Sequence, residues 1–396
     1  MHSSLLLIPL VAFLAPLVAR GIGRWVRIPV VVFELVLGIL IGPSVLGWAQ
    51  PNEFIDQLSE LGLVLLFFVA GSEIEPSSLR GRTGRRAVAT WFVSLVLGVI
   101  VGLALGSPET AVVIGIVLCS TAVGTILPIL RDAGETSTPF GRAVLAVGAV
   151  GEFGPLIAIS LFLGARDIGA STIVLVLFAL LAGAAILIAG RMRKGALHRF
   201  VEATLHTSAQ FAIRVILLII GLLVTVSYVL DLDVLLGAFA AGIVWSLLIR
   251  DADESSRHAV ESKVEGVAFG FLVPVFFIYT GVTFDLQTLL DAPLLWLGVI
   301  ATALALLVIR GVPATFAAPA GASLRDRISF GMLAATGLPI IVAVTAIADD
   351  EGLFAPQVTP VLVAGGMLSV LLFPLIALAV RGAPVTRPAQ PISEEG

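Results

Sequence analysis

Charge and cysteine are what this 396-residue chain has least of: 13% of its residues are charged and there is one cysteine, Cys119. A single cysteine excludes an intramolecular disulfide framework, and its place inside an apolar run carries no redox signal. Water-soluble domains carry about 25% charged residues, so the polar surface needed to cover a globule of this size is missing. Lysine occurs only at positions 194 and 263, and no basic cluster extends beyond short loops, which leaves nucleic-acid binding without support. The net charge of -4 says nothing about partners. Residues 1–21 lack the basic flank and small-residue cleavage site of a signal peptide, so they read as a first membrane span.

What is present is apolar: 58% of residues are hydrophobic and the mean hydropathy is +1.10. The apolar runs are roughly 20 residues long, the length of a membrane-crossing helix, and do not alternate as barrel strands would. The expected fold is an all-α polytopic membrane protein. Its thirteen spans fall at 4–19, 28–48, 59–78, 87–105, 110–130, 143–164, 170–190, 208–229, 233–249, 266–284, 293–319, 329–348 and 357–380. The segment 381–396 reads as a short polar tail, and no soluble regulatory domain is expected.

Basic residues test this count, because Lys and Arg should gather on every second loop. Twenty of the 23 do so, from Arg20, Arg24 and Arg27 through Arg131 and Arg142 to Arg381 and Arg387. The opposite loops hold Arg166 together with acidic turns such as Asp231/Asp233 and Asp349/Asp350/Glu351. The expected orientation places the N-terminus outside and the C-terminus in the cytoplasm of an inner (plasma) membrane protein.

Two segments share a pattern at a constant offset of 210 residues: Gly71, Glu75 and Leu79 after LVLLFFVA, and Gly281, Asp285 and Leu289 after VPVFFIYT. A second pair, CSTAVGTILPILRDAGE in span five and AATGLPIIVAVTAIADDEG in span twelve, is small, hydroxyl-bearing and Pro-interrupted. Both partners lie seven spans apart, and an odd displacement reverses direction across the bilayer. The expected organisation is therefore inverted repeats: residues 1–190 (spans one to six plus a linking span seven), then 191–380 (spans eight to thirteen). Inverted repeats build secondary transporters, whose broken helices meet near the midplane. The candidate breaks are Ser120-Thr121-Ala122 with Pro128, and Thr336-Gly337-Leu338-Pro339. Proline frees a carbonyl, and Gly and Thr allow close approach and a replacement oxygen; such oxygens can hold a partly dehydrated cation. Ordinary small-residue helix packing gives the same composition.

Five charges fall inside predicted spans: Glu34, Glu73, Glu152, Arg214 and Arg310. Ionisable groups at membrane depth are costly and mark function. Glu34, Glu73 and Arg214 lie near the cytoplasmic ends of their spans and are expected to snorkel or to form a structural or gating network. Glu152 and Arg310 each have about nine residues of helix on either side, roughly 13 Å at about 1.5 Å per residue. They are expected to face each other beside the crossing of spans five and twelve, either to couple transport or to pin two helices.

These residues resemble the monovalent cation:proton antiporter-2 family of bacterial sodium/proton exchangers and potassium-efflux proteins. Carrying the resemblance are the run from Glu34 to Gly47, Gly62 to Gly71 with Glu73, Ser120-Thr121-Ala122, Leu236 to Gly242, Pro274 through Gly281 to Asp285, and Thr336 to Pro339. The resemblance implies a thirteen-helix homodimer whose transport bundle moves against a scaffold. It also places the ion-binding carboxylate at Glu152 and the basic residue of span eleven at Arg310. Family members usually carry two adjacent polar or acidic residues in span six, whereas this chain reads Gly151-Glu152-Phe153.

Arginine keeps its proton in proteins, which leaves Glu152 as the midplane group able to titrate. The expectation is an antiporter, not an enzyme, that uses no cofactor. It would exchange Na+ or K+ for protons at Glu152, with Ser120, Thr121 and Thr336 as further ligands, one for one and hence electroneutrally. A sodium-coupled organic-anion symporter, a passive cation channel and a nontransporting membrane sensor are the alternatives.

Overall fold

The computed structural model describes residues 2–22, 29–74, 81–162, 168–192, 211–249 and 254–382. Arg24, Arg27, Glu75, Leu79, Arg80, Arg166, Arg193, Lys194, Arg199, Arg250 and Arg387 lie outside them. Among the described residues, ten helical segments are long and apolar enough to cross a membrane, and three shorter apolar helices accompany them. In chain order the spans are His2–Ile22, Val30–Ile41, Glu53–Ser72, Gly81–Leu103, the pair Pro108–Leu118 and Val123–Asp132, Pro139–Phe162, Ile168–Met192, Phe211–Val229, Val234–Ile249, Glu254–Thr283, Leu295–Ala317, the pair Leu324–Ala334 and Pro339–Asp350, and Val358–Arg381.

Several boundaries differ from the hydropathy reading. Span two stops at Ile41 instead of 48 because Gly42-Pro43 ends it. The chain then folds back in turns, with the Leu46 amide donating to the Leu40 carbonyl and Ala49 to Ile41. Span three begins six residues early, where the Asn52 side chain accepts from the Phe54 amide and caps the helix. Span twelve likewise starts at Leu324, behind a capping box formed by Ser323 and Asp326. Span ten starts twelve residues early as a polar helix, Glu254–Val267, and passes through a π-helical turn at Ala268–Leu272. A second π turn, Leu306–Gly311, interrupts span eleven. Each precedes a proline, Pro274 or Pro313, whose missing N–H breaks the regular ladder.

The two glycines of the long repeat occupy matching crossings. Gly71 of span three presses against the Phe239 carbonyl of span nine, and Gly281 of span ten against the Leu35 carbonyl of span two. A Cβ at either position would collide with backbone, so these pairs pack at the closest approach helices allow. Spans five and twelve are both interrupted, at residues 119–122 and 335–338. The two interruptions abut: the Ala122 amide donates to the Thr336 carbonyl at 2.8 Å.

Basic residues of the described loops and span ends collect at one end of the bundle. Arg131 pairs with Glu73 (3.1 Å) and Glu265 (3.4 Å), while Arg381 pairs with Glu135 (2.6 Å) and Asp326 (3.0 Å). Arg381 also sits 3.7 Å over the Phe140 ring.

Candidate functional site

A helix that stops inside a membrane leaves amides unpaired at one end and carbonyls at the other. Two such helices stop at the same place here. The half-helix Val123–Asp132 begins, and Pro108–Leu118 and Leu324–Ala334 end, around Thr121. Thr121 joins three elements. Its amide donates to the Gly151 carbonyl of span six (2.9 Å), its hydroxyl donates to the Ala334 carbonyl (2.6 Å), and the same oxygen accepts from Arg310 Nε (2.9 Å).

Glu152 lies midway along span six and is 1% exposed. One oxygen, Oε2, accepts from the Val123 amide at 3.3 Å, at the start of the second half of span five. A carboxylate there is favoured by the positive end of the half-helix. The other oxygen, Oε1, has no hydrogen-bond partner among the described residues.

The expected pairing of Glu152 with Arg310 is not formed. Arg310 is fully buried, and its guanidinium donates to Thr121 Oγ1 through Nε and to the Val147 carbonyl through Nη2 at 2.8 Å. The physical reason is that each charge finds its own helix end. Glu152 meets the Val123 amide, and Arg310 lies beside Thr121, which is bonded to the terminal carbonyl of Leu324–Ala334. Gly151 makes room for this arrangement, because a Cβ there would collide with Arg310 Nη2 and Thr121 Oγ1.

The other predicted residues divide. The Thr336 carbonyl belongs to the crossing, but the hydroxyls of Ser120 and Thr336 donate back to Val117 (2.7 Å) and Met332 (3.1 Å) in their own helices. Gly337 sits within the second break, against Ser120, and Pro339 begins the half-helix after it. Pro128 is not at a break. It lies inside Val123–Asp132, five residues beyond that helix's start.

The network expected of Glu34, Glu73 and Arg214 is also not formed. Glu73 pairs with Arg131, Arg214 is exposed on span eight, and Glu34 is buried in the wall of a separate cavity. Two residues went unnoticed in the sequence. Ser369 of span thirteen bonds both the amide and the carbonyl of Gly337, and the Trp91 ring of span four fills the space beside Gly154. A serine after paired glycines in GGMLSV was the available signal for the first.

Two cavities lie at the end of the bundle that carries Arg131. One of about 370 Å³ is lined by Glu73, Arg131, Arg257, Glu261 and Glu265. A smaller one of about 90 Å³ shares Glu73, Arg131 and Glu265 and has Val123 and Gly124 in its wall. The arrangement supplies a buried carboxylate with one open oxygen, a fixed cation that cannot titrate, and carboxylate-lined cavities nearby, one of them walled in part by Val123.

A family profile described as "Sodium/hydrogen exchanger, transmembrane" matches residues 10–378. The putative Na(+)/H(+) antiporter YjbQ of Bacillus subtilis is 29% identical over 335 residues, covering 79% of this chain and 52% of that protein. The chain thus spans about half the length of that relative. The Na(+)/H(+)-K(+) antiporter GerN of Bacillus cereus is 33% identical over 65% of this chain and 66% of its own. The probable Na(+)/H(+) antiporter GerT of the same species is 30% identical over 70% and 73%. Among solved structures, the sodium proton antiporter MjNhaP1 of Methanocaldococcus jannaschii at pH 8 aligns over 96% of both chains with a TM-score of 0.67 at 17% identity, a likeness of fold.

Proposed function

The chain belongs to the transmembrane sodium/hydrogen exchanger family, and on that premise we propose that it exchanges a monovalent cation for protons by alternating access, with Glu152 as the shared site. The observation that carries this reading is the state of the Glu152 carboxylate: buried, one oxygen held by the Val123 amide, the other unpartnered among the described residues. Protonated Glu152 releases the cation on one side of the membrane, and deprotonated Glu152 binds it on the other. Transport requires that filled and empty sites differ in how readily spans five and six move against their neighbours.

Arg310 stays charged throughout. It stabilises the crossing through Thr121 and Val147 instead of neutralising Glu152. With one titrating carboxylate in the site, one cation exchanges for one proton and the cycle is electroneutral. The cation is Na+; a second reading, K+, is favoured by the resemblance to the relative named for both ions.

The remaining parts of the proposal are architectural. Residues 1–190 and 191–380 form inverted repeats, a reading supported by the matching contacts of Gly71 and Gly281. The end that carries Arg131 faces the cytoplasm, the N-terminus lies outside in the plasma membrane, and the protein works as a homodimer.

Cation-dependent pH change in proteoliposomes, measured with Na+, K+ and Li+, tests the proposal. Exchange is expected in the unmodified protein and not in Glu152→Gln. Retained exchange in that variant removes Glu152 from the coupling role, and cation flux without proton movement identifies a channel.

A further inference from the structure

The first two cavities share Glu73, Arg131 and Glu265, and a third has none of these in its described wall. It has a volume of about 530 Å³ and lies between spans one, two, five, ten and thirteen, at the end of the bundle where Pro29 begins span two. That volume falls within the roughly 300–1,000 Å³ typical of small-molecule sites. Its described wall is largely apolar, built from residues such as Pro16, Val31, Val273 and Leu375, with two side-chain oxygen functions among the described residues, Glu34 and Thr125. No Lys, Arg or His is among its described lining residues.

Glu34 is 4% exposed and has no hydrogen-bond or ion-pair partner among the described residues. Its carboxylate opens onto the cavity, where an apolar wall makes a charge without a counterion costly. An alkali ion would find too few oxygens here to replace its water. A cation with an apolar body satisfies both the carboxylate and the wall.

We propose that this cavity binds a lipophilic organic monocation, its ammonium head on Glu34 and its aromatic or alkyl body against spans one, ten and thirteen. Gly124 and Thr125 of the wall directly follow Val123, whose amide holds Glu152. A bound body wedges span five against spans two and ten, and therefore slows exchange without occupying the cation site. The inhibitory consequence rests on the exchange reading above; the binding itself does not.

The test is calorimetry on the purified full-length protein in detergent with 4-phenylbutylammonium and with the neutral 4-phenylbutan-1-ol. The ammonium is expected to bind roughly tenfold or more tightly than the alcohol, and to weaken by about the same factor in Glu34→Gln and in the cavity-filling Val31→Trp. Binding is expected to persist in Glu152→Gln and in saturating Na+. Equal binding of alcohol and ammonium, or full binding in Glu34→Gln, would mean an apolar occupant such as an acyl chain and overturn the proposal. Absence of binding overturns it too, as does loss of binding in Glu152→Gln, which would place the probe in the ion site. In proteoliposomes the ammonium is expected to lower the maximal rate and leave the KM for Na+ unchanged. A protein that binds the probe but exchanges no cation contradicts the proposed function and leaves this site standing.

Discussion

The guanidinium of Arg310 occupies the space that a side chain at Gly151 would need. A Cβ at position 151 would collide with Arg310 Nη2 and with Thr121 Oγ1, the two groups that fix the crossing of spans five and twelve to span six. The glycine beside the candidate carboxylate is thus the seat of the arginine.

Substituting Gly151 tests this directly. Gly151→Ala is expected to destabilise the protein by about 1–3 kcal/mol, the usual cost of overpacking, and to lower exchange sharply because Arg310 must leave Thr121 or Val147. Thermal unfolding in detergent and proteoliposome exchange read the two effects. Gly151→Ala with unchanged stability and rate contradicts the assignment.

Thr121 is expected to be needed for its hydroxyl and not for its shape. Thr121→Val removes an acceptor from buried Arg310 and a donor from Ala334, and each stranded polar group costs about 1–3 kcal/mol. Thr121→Ser keeps both bonds and is expected to retain most stability and exchange. The comparison of the two variants by thermal unfolding separates hydrogen bonding from packing.

The carboxylates lining the two cavities beside Arg131 are expected to act on cation capture. Arg131 is 51% and Glu265 37% exposed, so that pair contributes about 0–1 kcal/mol, as surface bridges do, whereas Glu73 is only 18% exposed. Glu73→Gln with Glu265→Gln is expected to raise the KM for Na+ severalfold at low ionic strength, with the maximal rate preserved, and the difference to fade in high salt. A salt-independent change would point to a structural role.

Membrane potential gives a further check. With one titrating carboxylate in the site and Arg310 permanently charged, an imposed potential is expected to drive no net transport in proteoliposomes. Potential-driven exchange would contradict the one-for-one stoichiometry.

Much of this architecture was legible in the amino acids. Long apolar runs mark spans whatever their partners are, and Ser120-Thr121 and Thr336-Gly337 mark breaks because Ser, Thr and Gly are weak helix formers, with Pro339 removing an amide beside the second. Helix ends were less legible, since Gly42-Pro43 and the Asn52 and Ser323 caps act locally inside or beyond an apolar run. The partner of Arg310 was not legible. Charge balance suggested Glu152, but the acceptors are a hydroxyl and a backbone carbonyl within an unbroken helix, and a backbone carbonyl acceptor carries no sequence signature. Pro128 misled for the related reason that a proline can sit within a helix whose break lies a turn earlier.

The most direct test of Glu152 as a site shared by cation and proton is proton release on cation binding by the purified protein in weakly buffered detergent solution. Na+ added near the carboxyl's titration range is expected to displace protons from the unmodified protein, to a limit of one per site, and none from Glu152→Gln. Undiminished proton release by Glu152→Gln would contradict the account.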